Sequence, residues 1–565
     1  MRVLTLAFAA LFATAVHAAP LQFVVDFPAQ QTGAPPPAGR VFVAISRDPK
    51  AEPRMQIREV VYTSQQLFGL DVQGAPPAAV VIDNRAQGFP VSRLSDLPAG
   101  DYTVQAIYEP YEVFKRGDGH TVLLPADKGE GQHWNTKPGE PMSAPIKMHL
   151  TPTSGTIHIK LDQTTPARDP IPADTPFVKH LHVRSDRLSK FWGRDMYLDA
   201  WVLLPEGWAD HPDARYPLVL NQGHFFEKFN GGGGGWSETP PDPKLTGDAL
   251  TRARAAYANY TAWISGRLPR VILLLVNHAN PYYDDSYAVN SANIGPYGDA
   301  INLDLVPEVE RRYHGIGEGW ARAVYGGSTG GWEALATQIF YPDQWNGAYG
   351  FCPDPVDFHR YQSVNLYDDD NAHVRHGPFG DIPIISDRAS DSQLTSTMGW
   401  VDQFEAALGS HGRSGEQNDA WQAVFSPAGP DGYPAAIYEK LGGQIDKTVA
   451  AYWRDHYDLT HILLRDWATL GPKVEGKLHI TVGESDTFFL NNAVHLMDEA
   501  LSKTRNPRSD ATFDYGERAP HCYTGAVPDW AKASGATLTE RLLPQMAAHW
   551  LATAPAGADV KSWRY

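Results

Sequence analysis

Residues 323–332 read AVYGGSTGGW. Within them lies Gly326-x-Ser328-x-Gly330. Ahead of the motif, ARAVYGG (321–327) is a short apolar run with the character of a buried strand. Behind it, Trp332, Leu335, Ala336 and Ile339 recur at i, i+3, i+4, i+7, the stripe of an amphipathic helix. A strand, a glycine-rich turn around serine and a helix form the context of a nucleophile elbow. The glycines let the chain reverse sharply and let the helix approach the strand without a Cβ clash. Ser328 is therefore the candidate nucleophile.

Outward from the motif, similar apolar runs recur at YPLVLNQG (216–223), RVILLLVNH (270–278), WNGAYGF (345–351) and KLHITVG (477–483). Helical patterns fall between several of them, such as Leu305, Val309 and Tyr313 at i, i+4, i+8. Alternating strand and helix predicts an α/β domain with a mostly parallel sheet over 177–565. About 355–472 reads as an inserted cap, with a helix expected across 433–456 from Ala435, Ile437, Tyr438, Leu441 and Ile445.

Upstream the pattern differs. LQFVVDF (21–27), VFVAIS (41–46), DYTVQAIY (101–108) and TIHIKL (156–161) alternate or run as short strands between Gly/Pro turns. They predict an antiparallel, Ig-like β-sandwich over 19–161. Residues 162–176 hold Pro166, Pro170, Pro172 and Pro176 and read as a stiff linker. Residues 1–18 combine Arg2, an apolar run and a small residue at Ala18, the signature of a removable signal peptide. The expectation is an exported protein, periplasmic or extracellular, with no integral membrane segment after cleavage.

The 565-residue chain is 42% hydrophobic and 11% aromatic, enough for a large core. Its 50 glycines and 45 prolines exceed the ordinary share of about 12% and mark a loop-rich globular protein. Mean hydropathy is −0.36, which excludes a polytopic membrane protein. Lys and Arg total 48 against 65 Asp and Glu, a net charge of −17. That balance argues against a nucleic-acid partner.

A serine hydroxyl needs a base to take its proton. In this architecture an acid and then a histidine follow the serine along the chain. Asp486, just past the KLHITVG strand, is the candidate acid, with Glu484 and Asp354 as competitors. His521, in the loop after ATFDYGE (511–517), is the candidate base; His495 and His549 sit in helical stretches. Two N–H donors for an oxyanion are expected from the backbones of Thr329 and His224. Cys352 and Cys522 both fall near this edge of the sheet, and a disulfide between them is expected. No metal and no cofactor signature is present. His180-x-His182 and Asp368-Asp369-Asp370 lack a ligand pattern, and Gly315–Gly319 precedes its strand, so it is no dinucleotide fingerprint. Gly231–Gly235 reads as a flap or a surface insertion. Residues 280–298 could supply a polar, aromatic pocket through Tyr282, Tyr283, Asp284, Asp285, Asn290 and Asn293.

The YPLVLNQG strand and loop, the Gly326–Gly330 elbow, the GESD acid loop and the late His521 together resemble an esterase family of α/β-hydrolases. That family takes in esterase D, S-formylglutathione hydrolases, enterochelin esterases, feruloyl esterases and mycolyl transferases. The resemblance covers roughly 178–553. It implies a Ser328–Asp486–His521 triad, with Thr329 and His224 as oxyanion donors, acting on a small-molecule or carbohydrate-linked ester. The chain departs from the family in carrying Gln222-Gly223 where His-Gly is usual, and in its Gly231–Gly235 run and long insertion. An acyltransferase on the same fold is the second reading. A non-catalytic carbohydrate-binding protein is the third.

Overall fold

The computed structural model describes residues 19–27, 38–74, 78–125, 133–224, 228–231, 235–283, 286–526 and 537–565. The expected signal peptide at 1–18, most of the Gly231–Gly235 run and Asp284–Asp285 lie outside the described residues.

An eight-stranded sheet organises the C-terminal part. Its strands are β1 (Val178–Arg184), β2 (Tyr197–Leu203), β3 (Leu218–Gln222), β4 (Ile272–Asn277), β5 (Arg322–Gly327), β6 (Ala348–Phe351), β7 (Leu478–Gly483) and β8 (Thr512–Gly516). They lie in the order β1-β2-β4-β3-β5-β6-β7-β8. The first two pairings, β1–β2 and β2–β4, are antiparallel. Every later pairing is parallel. Strands β3, β4 and β6 are buried along their whole length, which is why they read as continuous apolar runs rather than alternating ones. The helices that flank this framework include α1 (Thr329–Phe340), α2 (Asn491–Ser502) and α3 (Leu538–Thr553). Helix α1 follows β5 directly and is buried from Thr329 to Ile339, against β5, β6 and β3.

The segment between β6 and β7 carries two small hairpins and the helices Met398–Leu408, Gln417–Phe425, Lys447–Tyr457, Leu459–Arg465 and Trp467–Val474. The helix expected across 433–456 begins only at Lys447, where the Asp446 side chain caps the N–H groups of Thr448 and Val449. Upstream of it, Pro434 lacks an amide donor and Gly443 sits at φ +77, so no continuous helix forms. Ile437, Tyr438 and Ile445 are still buried, in an irregular segment pinned by a Tyr438–Ile445 bridge, while Leu441 is exposed.

Two sheets make up the N-terminal part. Gln22–Asp26, Ala79–Ile82 and Thr156–Lys160 form one. Ala38–Ser46, Gln66–Gln73 and the long strand Gly100–Lys115 dominate the other. Phe23, Val25, Ile82 and Ile159 from the first meet Val41, Val43, Phe68 and Val104 from the second in one apolar cluster. The pairing is not wholly antiparallel: Gln22–Asp26 runs parallel to Thr156–Lys160. A long excursion separates these two strands in sequence, so no tight turn forces them to oppose. The second sheet also extends into the expected linker, because Gln163–Thr164 pairs with Pro141–Met142. Its outer face meets the insertion. Phe404, Ala407 and Leu408 bury against Phe42, Phe89 and Trp134. The Gln403 amide donates to the carbonyls of Gly88 and Pro90.

Candidate active site

The β5–α1 turn is built by close backbone approach. A Cβ on Gly330 would stand 2.2 Å from the Gln222 carbonyl oxygen, and one on Gly326 would stand 2.3 Å from that of Gly330. Only glycine lets α1 sit this near β3 and β5. Ser328 lies between them at φ 58, ψ −123, a region that L residues rarely occupy. Its N–H donates to the Phe351 carbonyl at 2.9 Å, and its own carbonyl accepts from Gly331 at 2.9 Å. These bonds hold the strained residue at the end of the sheet.

Asp486 and His521 reach Ser328 from two other loops. Asp486 follows β7 and is fully buried. One of its oxygens accepts the N–H groups of Phe488 and Leu490 at 3.0 and 3.2 Å. The other lies 2.8 Å from His521 Nδ1. Across the ring, His521 Nε2 lies 3.0 Å from Ser328 Oγ. The Phe488 ring meets the imidazole edge-on, with centroids 4.9 Å apart. Serine, imidazole and carboxylate thus form one continuous hydrogen-bonded line. Burial disfavours the charged ring, but Asp486 and then Cys522 outweigh it and push His521 up to about 10.

The competing residues lie elsewhere. Glu484 bonds His495 Nε2 at 3.2 Å, and His549 Nε2 bonds Asn346 at 3.1 Å. Asp354 bonds neither His521 nitrogen. Its Oδ2 accepts the hydroxyls of Tyr287 at 2.7 Å and Thr329 at 3.0 Å, and the Trp421 indole N–H at 3.3 Å. Burial pushes this carboxyl up from the usual range, against those donors. The Thr329 hydroxyl also lies 3.3 Å from His224 Nε2. The two expected oxyanion residues are therefore neighbours, one from the elbow and one from the loop after β3.

Two features escape sequence reasoning. Arg388, from an insertion hairpin, donates Nε to the Asp486 carbonyl at 2.9 Å and Nη2 to that of Glu484 at 3.0 Å. It fixes the backbone of the acid loop from 98 residues away in the chain. Trp421, also from the insertion, completes the Asp354 cluster beside the elbow. The described residues of the 280–298 loop are tied down at two points: Tyr282 is buried, and the Asn293 amide donates to the carbonyls of Ala423 and Ser426.

Cys352 and Cys522 are free thiols, so the expected disulfide is not formed here. Their sulfurs and a His521 ring nitrogen nevertheless lie within 4.8 Å of one another. Among the described residues this trio is one of two groups whose donors could converge on a metal ion; the other is Asp357, His359 and Asp458. In the latter, His359 already bonds Asp357 at 2.7 Å, and Asp458 accepts the Tyr367 hydroxyl at 2.6 Å. His180 and His182 share Asp199 as their acidic neighbour. No described helix is long and apolar enough to cross a membrane.

No family model matches the chain, and no curated protein matches it. Solved structures do. A ferulic acid esterase is 14% identical, with 66% of this chain and 98% of that one covered and a TM-score of 0.36. A fluorophosphonate-binding serine hydrolase of Staphylococcus aureus is 15% identical, with 65% and 97% covered and a TM-score of 0.32. An S-formylglutathione hydrolase of Agrobacterium tumefaciens is 12% identical, with 67% and 99% covered and a TM-score of 0.32.

Proposed function

We propose that this chain is a serine hydrolase of the α/β-hydrolase type whose reaction is the hydrolysis of carboxylic esters. The observation that carries this reading is the line from Ser328 Oγ through His521 to Asp486, assembled from the ends of β5, β7 and β8. Ser328 attacks the ester carbonyl while His521 Nε2 takes its proton. Asp486 holds the ring through Nδ1 and stabilises the imidazolium. The backbone N–H groups of Thr329 and His224 receive the oxyanion. His521 then protonates the leaving alcohol and activates a water that releases the acyl group from Ser328.

Acyl transfer uses the same atoms and differs in its acceptor. Product analysis with added alcohols separates it from hydrolysis. A carbohydrate-binding protein without turnover would have no need of an aligned serine and histidine. We further propose that the substrate is a small or carbohydrate-linked ester. In this reading residues 1–18 direct export to the periplasm or beyond, and the region 19–161 is a β-sandwich domain joined by the 162–176 linker.

A fluorophosphonate probe tests the core of this reading. Wild type is expected to gain one adduct at Ser328 and to hydrolyse short nitrophenyl esters; Ser328→Ala loses both. Equal labelling of Ser328→Ala overturns the assignment.

A further inference from the structure

Cys352 and Cys522 are the chain's two cysteines, and both stand at the proposed catalytic centre. Cys352 directly follows β6, whose last residue receives the Ser328 N–H. Its side chain is buried, and its own N–H donates to the Thr481 carbonyl of β7 at 2.6 Å. Cys522 directly follows His521 and is exposed. Both take backbone angles that L residues rarely adopt, φ 37 and φ 63. Two chain segments are thus turned out of ordinary conformations to bring two sulfurs and an imidazole together.

We propose that Cys352 and Cys522 form a reversible redox site, oxidised by a low-molecular-weight disulfide to one intramolecular bond that leaves His521 neutral, and free to accept a proton, at lower pH. The consequence for His521 rests on the hydrolase reading above; the oxidation itself does not. Cys522 is the attacking sulfur because it is exposed. The Cys352 thiol, then His521, pull it down to about 5, so it is a thiolate at neutral pH. It attacks one sulfur of RS–SR; the S–S bond breaks, RS⁻ leaves, and a mixed disulfide forms on Cys522. Cys352 then gives up its proton and attacks the Cys522 sulfur, expelling the second RS⁻. Both thiolates are protonated to RSH. The two protein thiols are oxidised by two electrons and RS–SR is reduced to two RSH.

The charge beside His521 changes with this step. In the dithiol form a Cys522 thiolate helps to hold the ring as imidazolium, which cannot accept the Ser328 proton. A disulfide sulfur carries no charge. Oxidation leaves Asp486 as the anion holding the ring, so the neutral base appears at lower pH. The new bond also joins the histidine loop to the end of β6.

The full-length protein is equilibrated with oxidised and reduced glutathione at graded ratios, then alkylated with N-ethylmaleimide in denaturant and weighed intact. Two adducts in reduced buffer and none in oxidised buffer are expected. In parallel, kcat/KM for a nitrophenyl ester and the fluorophosphonate labelling rate are measured against pH. The acidic limb is expected to move down on oxidation and back with dithiothreitol. Each pH unit of movement multiplies the neutral-ring fraction at pH 7 about tenfold. Cys522→Ser is expected to show the lower limb in either buffer; Cys352→Ser and Cys352→Ala repeat the mass test should one variant fold poorly. Two adducts persisting in the most oxidising buffer overturn the proposal. So does a disulfide that forms without moving the limb. A mass change with no labelling at Ser328 in either state sinks the hydrolase reading and the coupling to His521, while the redox site stands.

Discussion

Asp486 Oδ2 lies 2.8 Å from His521 Nδ1, while the other oxygen of the same carboxylate is held by two backbone N–H groups. The carboxylate is thus oriented before it meets the ring, and the ring is oriented before it meets Ser328. Asp486→Asn keeps the shape but can donate to Nδ1, which favours the wrong tautomer. A fall in kcat on the order of 10⁴-fold is expected, with little change in KM or in melting temperature. Steady-state kinetics on a nitrophenyl ester check it. A loss under tenfold would return Asp486 to a structural role.

The acidic limb of the pH profile follows from the same ring. His521 is pushed up from 6.5 to about 10, with Asp486 and Cys522 prevailing over burial. Because the base must be neutral, kcat/KM of the reduced protein is expected to rise with pH above 6.5. The stability linkage has the opposite sign. A folded-state value raised above the unfolded one stabilises fully below pH 6.5, and that contribution is lost as pH climbs through about 10. A kcat/KM profile and melting temperatures across pH 5–10 test both signs. An acidic limb below pH 6 in the reduced protein contradicts the first.

Much of this centre is legible locally. Gly326-x-Ser328-x-Gly330 announces itself because close backbone approach leaves glycine as the residue that fits. Asp486 is legible because it follows a short apolar run and His521 because it follows the next strand, Thr512–Gly516, and the loops past such strands converge at one edge of a parallel sheet. Arg388 and the Asp354–Trp421 cluster are not legible. They depend on an insertion folding back over the sheet, and no local spacing encodes that return. The 433–456 stretch misleads for a related reason: Ile437, Tyr438 and Ile445 are buried in an irregular segment, while Leu441, which completes the apparent helical spacing, is exposed.

Gly330→Ala tests the close approach. The added carbon would stand 2.2 Å from the Gln222 carbonyl oxygen and 3.0 Å from the Gly223 nitrogen. Neither backbone atom can yield without moving the loop that carries His224. A loss of about 1–3 kcal/mol in unfolding free energy is expected. Activity is expected to drop further than this global loss explains, because the displaced loop carries the proposed oxyanion donor His224. Urea unfolding beside kcat measurements separates the two; unchanged stability would mean the turn is looser than described.

Arg388→Ala removes the donors that hold the carbonyls of Asp486 and Glu484 and the Asn491 side chain. The acid loop keeps its own backbone bonds, so the fold is expected to survive. A displacement of Asp486 well under 1 Å is enough to misalign His521. The expected result is a fall in kcat of about ten- to a hundredfold with KM nearly constant. Arg388→Lys restores one donor and is expected to recover part of the rate. Parallel losses in kcat and melting temperature would recast Arg388 as general support for the insertion.

Asp354 links that insertion to the elbow in a different way. Its Oδ2 is the shared acceptor for Tyr287, Thr329 and Trp421, all buried. Asp354→Ala leaves these donors without their acceptor, and each buried donor left unpaired costs about 1–3 kcal/mol. Asp354→Asn keeps an oxygen in place, so it is expected to be the milder change. Burial already favours the neutral form of this carboxyl, which lowers the cost of losing the charge. Rate should follow stability only in part. The Thr329 side chain is anchored here while its backbone N–H is the proposed oxyanion donor, so both variants are expected to lower kcat more than they raise KM. Equal kcat in wild type and both variants would show that Thr329 is held by the elbow alone, and that the insertion covers the site without shaping it.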